Sequence, residues 1–301
     1  MNYEQRIKNL SVPEGKIDVI IDTDTYNEID DQFAVSYLLK SSDKLNTKAI
    51  YAAPFLNANS ISPADGMEKS YNEILKLLDL AEEKVDVFKG SDSFLKNETT
   101  PVVSAAAKDL AERVKNYSPS NPLYIVAIGA ITNIASAILL NPEVAENTVV
   151  VWLGGHALHY HDTKEFNMYQ DIAAARVIAQ SGVPYVMLPC CGVVSSFTIS
   201  EPELTAWFIG QNKLADYLAR NTIEEAKKYA TTKVWTRCIW DVTAVAWLLN
   251  DNERFMKSRI VPTPIPTYDN YYAVNNNGLP MRYVYYIERD TLMNDLINKL
   301  T

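Results

Sequence analysis

KIDVIIDTDTYNEIDDQFA, residues 16–34, changes its hydrophobic period halfway along. Lys16–Asp22 is an apolar run of strand length, whereas Asp31–Lys40 sets Phe33, Ala34, Tyr37 and Leu38 at near-helical spacing. Asp22, Asp24, Asp30 and Asp31 fall at the join. A strand that feeds directly into a helix is the repeating half of a parallel α/β sheet covered on both faces.

The alternation continues in both directions along the chain. Strands are expected at Thr47–Ala53, Lys84–Phe88, Leu123–Ile128, Thr148–Leu153 and Val183–Leu188. Helices are expected at Met67–Leu80, Val103–Lys115, Thr132–Leu140, Ile172–Gln180 and Asp241–Leu249, and a mainly helical stretch from Thr198 to Lys228. An Asn275–Gly278 turn precedes a last strand at Pro280–Glu288. No repeat, low-complexity tract or linker interrupts the pattern. The expected fold is one α/β domain over residues 1–301, with a mostly parallel central sheet flanked by helices.

A net charge of −9 and a pI near 5.0 argue against binding nucleic acid, which needs a basic face. A small neutral ligand meets no such objection. No apolar run approaches the ~20 residues of a membrane span, and MNYEQRIKNLSVPEGK is too polar for a signal peptide. Cys190, Cys191 and Cys238 form neither a disulfide framework nor a zinc pair. The expected compartment is the cytosol.

In open α/β sheets, ligands sit beyond the carboxyl ends of the strands. That rule selects Asp22–Asp31, the loop after Ala53, Gly129–Asn133, Gly154–Asn167 and the Cys190 region. Four carboxylates at residues 22–31 repel one another, so packing them requires protons or a cation. Hard oxygen ligands suit Ca²⁺ or Mg²⁺. The simpler alternative has Asp30 capping the helix and the other three solvated. A DxD after the first strand also opens haloacid dehalogenase-type phosphatases, where Asp22 would be the nucleophile.

Three later segments carry a more specific likeness. LYIVAIGAITNIASAI has a Gly followed by Thr132-Asn133; VVVWLGGHALHYHDTKEFNMYQDIAAARVI has Gly154-Gly155 and then Glu165-Phe166-Asn167; RCIWDVTAVAWLL opens a late helix with Asp241. With DTD and the paired Asp30–Asp31, in this order from about Lys16 to Leu249, the chain resembles the nucleoside hydrolases, which split ribose from a nucleobase. The resemblance implies Ca²⁺ held by Asp24, Asp31, the Ile128 carbonyl and Asp241. Asp24 would also be general base on a metal-bound water. Asp30, Asn57, Glu165 and Asn167 would bind the ribose, Asn59 being the rival to Asn57, and Asp22 would play a supporting part. A nucleoside substrate and a homodimer or homotetramer follow from the same resemblance. The chemistry is coherent: cleavage passes through an oxocarbenium-like sugar, which carboxylates stabilise.

Two features depart from the family pattern. Where members turn through a short Pro-Gly, Thr25–Ile29 is two residues longer and has neither. That loop is expected to bulge, with Asn27 and Glu28 facing solvent or adding an oxygen ligand. Where many members carry a His before the last metal Asp, this chain has Trp240. An indole cannot serve as general acid. It stacks on a departing purine or packs beneath its helix. His156, His159 and His161 are the only histidines and share one loop. Either they cluster by chance, or one of them, His159 first, supplies the missing acid or meets the 5′ side of the sugar; Tyr160 is an alternative. Cys190-Cys191 reads as a packed pair. A third reading is a homologue that binds nucleoside or ribose without turnover.

Overall fold

The computed structural model describes all 301 residues. Its strands are β1 (Ile17–Thr23), β2 (Leu45–Ala52), β3 (Val87–Lys89), β4 (Leu123–Ala127), β5 (Thr148–Leu153), β6 (Tyr185–Leu188), β7 (Thr198–Ser200), β8 (Thr236–Cys238), β9 (Met256–Pro262), β10 (Ile265–Pro266), β11 (Tyr272–Ala273) and β12 (Pro280–Ile287). Eight of them form one sheet in the order β3-β2-β1-β4-β5-β6-β12-β9. All neighbours in it are parallel except β12 and β9.

Alternating side chains send the strands into two core layers. Val19, Ile21, Ile50, Val126, Val149 and Val151 join one layer, and Ile20, Tyr51, Ile125, Val150 and Trp152 the other. Each fully buried side chain of this size contributes about 1.5–3 kcal/mol. Strand order matters for function. From β1 the chain winds outward through β2 and β3, then crosses to β4 and winds the other way. The reversal opens a crevice at the carboxyl ends of β1 and β4, where Asp24 and Ile128 lie.

The helix Asp30–Leu39 is buried at every residue, as expected of a helix enclosed within a core. Most expected elements are present with shifted ends. The helix expected from Met67 begins at Pro63, because Ser62 accepts the Asp65 N–H as N-cap and proline suits the first turn. The stretch from Thr198 to Lys228 is broken: β7 precedes helices Glu201–Trp207 and Lys213–Tyr229. β9 left no apolar run to read, since it is an edge strand with Lys257, Ser258 and Arg259 at its centre. No helix is long and apolar enough to cross a membrane.

Candidate active site

β1 ends at Thr23, and the helix begins at Asp30 with Ile29 as N-cap and no side-chain capping bond. Asp30 is therefore not the cap; Asp30 and Asp31 are the first two helical residues, at the positive end of the dipole. Asp241 immediately precedes the buried helix Val242–Leu248. The fold brings these distant segments together: carboxylate oxygens of Asp30, Asp31 and Asp241 lie within 4.8 Å of one another, all buried. Thr23 Oγ1 donates to Asp31 Oδ1 at 2.5 Å and orients it.

Asp24 is wholly buried, and neither carboxylate oxygen has a hydrogen-bond partner. Burial raises its pKa well above the usual carboxylate range, and the charges of Asp31 and Asp30 push it further. Asp241 is raised by burial, then by Asp30, Asp31 and Asp24. For Asp30, burial comes first, then Glu28 and Asp31. Four such acids cannot all ionise at pH 7 without counter-charge. Asp24 is not one of the three acids whose oxygens lie within 4.8 Å of one another, but its two unpartnered oxygens add to a hard donor set that fits a divalent cation of the Ca²⁺ or Mg²⁺ type.

Asp22 has a different place. Its Oδ1 accepts from Asn133 Nδ2 at 2.7 Å, and Asn133 Oδ1 accepts the Ser91 N–H at 2.7 Å and the Ser91 hydroxyl at 2.9 Å. The Thr132-Asn133 motif thus ties β1 to the loop after β3. Its other oxygen, Oδ2, is buried without a partner, and the bond to Asn133 gives Asp22 a supporting place between β1 and β4.

A cavity of about 200 Å³ opens beside the cluster, lined by Asp30, Ile128, His156, Glu165, Asn167, Trp240 and Asp241 among others. Glu165 caps the short helix that follows it. Its carboxylate accepts the N–H groups of Gly155 (2.8 Å), Asn167 (2.9 Å) and Met168 (2.9 Å), and burial raises its pKa to about 7 against those bonds. Asn167 Nδ2 donates to the carbonyls of Leu153 (3.0 Å) and Ile128 (3.2 Å). The amide is thereby pinned across the ends of β4 and β5, with Oδ1 left free to accept. Trp240 lines the cavity and also packs on the larger core layer.

Some expectations need correction. Asn27 does not face solvent: it is buried, its Oδ1 accepts from Asn57 Nδ2 at 2.5 Å, and its carbonyl accepts from Asn59 Nδ2 at 2.9 Å. The longer loop is therefore folded in and held by both asparagines. Asn57 lines a neighbouring cavity of about 250 Å³, with Glu28 and Arg237. Glu28 is exposed as expected, and pairs with Arg237 Nη2 at 3.1 Å. His159 is exposed and does not line the cavity. The loop doubles back, with Ala157 N–H donating to the Cys191 carbonyl (3.0 Å) and Tyr160 N–H to the Ala157 carbonyl (2.8 Å), which turns 159–161 outward. His156 faces inward instead. Its only signal in the sequence was its position directly after Gly154-Gly155. Arg237 and Thr23 also escaped the sequence reading, since nothing in one dimension pairs either with the aspartates. Burial raises the Cys190 and Cys191 thiols, in keeping with a packed pair.

A family described as inosine-uridine preferring nucleoside hydrolase matches residues 19–278. An uncharacterised protein of Schizosaccharomyces pombe is 30% identical over 148 residues, 46% of each chain. A pyrimidine-specific ribonucleoside hydrolase of Citrobacter koseri is 36% identical over 93 residues, 30% of this chain and 28% of that one. The aligned stretches therefore span less than half the length of these relatives. A purine-preferring ribonucleoside hydrolase from Gardnerella vaginalis has the same fold, with a TM-score of 0.78 at 21% identity, over 94% of this chain and 98% of that one.

Proposed function

Because the chain belongs to the inosine-uridine preferring nucleoside hydrolase family, we propose that it hydrolyses the N-glycosidic bond of ribonucleosides to ribose and free base. The observation that carries this reading is the buried acid cluster from opposite ends of the chain, Asp30, Asp31 and Asp241, with the orphaned Asp24 beside it and a cavity at its edge. We take residues 1–301 as one domain, since one sheet with both faces covered runs through them.

Asp24, Asp31, Asp241 and the Ile128 carbonyl would hold the cation. The hard donor set and the family favour Ca²⁺, which when bound lowers the pKa of a water and accepts a sugar diol as further ligand. Asp24, whose two carboxylate oxygens have no partner in the protein, takes the proton of the attacking water as general base. Asp30, Glu165 and Asn167 Oδ1 accept hydrogen bonds from ribose hydroxyls, and Asn57 acts by holding the aspartate loop. The carboxylates favour the positive charge that develops on the sugar ring. Trp240 offers a stacking face to the base, which favours purines. One matched relative is named for pyrimidines and another for purines, so base preference has to come from this chain's own residues. A cytoplasmic homodimer or homotetramer completes the proposal.

The test is a panel of nucleosides assayed for reducing sugar, with and without EDTA. Release of ribose that stops on chelation is expected. Tight nucleoside binding with no base release would instead identify a binding homologue, and turnover untouched by EDTA would remove the cation from the reaction.

A further inference from the structure

His156 is the buried histidine of the site cavity, 8% exposed. Tyr272 Oη donates to its carbonyl at 3.0 Å, and the Tyr160 ring lies 4.6 Å from the imidazole. The Cys191 backbone N–H donates to its Nδ1 at 3.3 Å. A ring nitrogen that accepts carries no hydrogen, so the ring is the neutral tautomer with its hydrogen on Nε2. Nε2 has no hydrogen-bond partner in the protein; Asp162 Oδ1 stands 4.0 Å away, beyond bonding distance.

His156 comes from the loop after β5, with Asp162 as its neighbouring carboxylate. Asp30 and Asp241 line the same cavity from the starts of two buried helices. That division matches the two halves of a nucleoside. Ribose hydroxyls donate and belong with the carboxylates. A departing base gains an electron pair and presents ring nitrogens or carbonyl oxygens, which need a donor. Asn27 lies in the aspartate loop, Lys164 is exposed at the rim, Asn167 Nδ2 is spent on two carbonyls and Trp240 is half-buried, so His156 is the buried cavity-lining ring with an N–H unpartnered in the protein.

Building on the nucleosidase reading above, we propose that His156 binds the departing base through Nε2–H as a neutral hydrogen-bond donor, and is not a general acid. The C1′–N bond breaks with its electron pair going to the base nitrogen. The water oxygen bonds to C1′ and its proton goes to Asp24. The base then takes a proton from solvent, and His156 keeps its own hydrogen throughout.

The experiment compares inosine and uridine with p-nitrophenyl ribofuranoside, whose leaving group departs without help. Wild type, His156→Ala and His156→Gln are assayed after circular dichroism verifies their fold. Loss of one buried donor is expected to lower kcat for the nucleosides by about 10²-fold and to leave the nitrophenyl substrate nearly unchanged. His156→Gln, which retains an N–H near the Nε2 position but has no acidic form, is expected to recover most of the loss. Equal losses on both substrates, no loss on either, or a Gln variant as poor as Ala would overturn the role of His156 alone. A wild-type chain inert on all three substrates would overturn the nucleosidase reading and this proposal with it.

Discussion

Gly129 leaves the space that the Asp24 carboxylate occupies: a Cβ at 129 would stand 3.0 Å from Asp24 Oδ1 and 3.1 Å from Ala53 Cβ. Gly129 follows β4 and Asp24 follows β1, so the absence of one side chain lets the carboxylate lie across the crevice between adjacent strands. Gly129→Ala is expected to displace Asp24 by a few tenths of an ångström. Overpacking of this kind costs about 1–3 kcal/mol. The expected result is a folded protein with at least ~10-fold lower kcat, since small displacements of a reacting group are costly. Steady-state kinetics beside thermal melts checks this, and an Ala variant with unchanged kcat contradicts it.

Asp24→Ala removes the proposed base. A fall in kcat of about 10²–10⁴ is expected at Ca²⁺ concentrations high enough to offset the loss of Asp24 as a ligand, with KM then changed far less because Asp30, Glu165 and Asn167 still hold the sugar. Single-turnover and steady-state measurements on one nucleoside separate the two. A variant retaining half of the wild-type kcat would assign the proton to another group.

Buried like charges also make a prediction about stability. Asp241→Asn removes one carboxylate from the cluster. In EDTA the Asn variant is expected to melt above wild type, because less repulsion and desolvation remain. With Ca²⁺ at about 100 times its Kd, wild type gains about 2.7 kcal/mol by mass action and the order reverses. Calorimetry in both conditions reads the crossover; the same order in both would show that no cation uses Asp241.

The longer aspartate loop depends on Asn27. Asn27→Ala strips the Asn57 amide of its acceptor, a loss of about 1–3 kcal/mol for a shielded group. Chemical denaturation should show that deficit together with weaker Ca²⁺ binding. A loop that merely faced solvent would show neither.

Far from the site, Arg289 Nη2 donates to Glu203 Oε1 at 2.5 Å, joining the last helix to the one after β7. Burial acts to raise the Glu203 pKa, but bonds from Ser200 and Arg289 outweigh it and hold it below the usual value. A depressed folded-state pKa means stability that is fully present above the ordinary glutamate pKa of about 4.3 and lost as pH falls through the lower folded value. Glu203→Gln should therefore be less stable than wild type at pH 7, by under about 1 kcal/mol for a partly exposed pair. The gap should close in stronger acid. Melts across that range measure it, and a gap that widens toward low pH reverses the argument.

Much of the fold was legible in KIDVIID, LYIVAI and TVVVWL, because a strand buried on both faces must be apolar at nearly every position. β9 was hidden because an edge strand with one face in solvent need not be. Within the site, Asp22, Asp24, Asp30 and Asp31 stand out as four carboxylates in ten residues after an apolar strand, whereas Asp241 is singled out only by the family likeness of RCIWDVTAVAWLL. Which histidine lines the cavity is not legible in the sequence: alternation says nothing about which way an irregular loop turns, and the bonds between 155–157 and 190–191 accompany an exposed His159 and a buried His156.

Residue chemistry and local period were enough to establish a parallel α/β sheet, an acid cluster at its carboxyl edge and the need for a counter-charge, because these follow from nearest-neighbour forces along the chain. Which acids meet, which oxygens stay unpartnered and which histidine faces the cavity came from packing, because those facts depend on contacts between segments far apart in sequence. Thr23 lies eight residues from Asp31 and Asp241 more than two hundred, yet both sit against the same carboxylate.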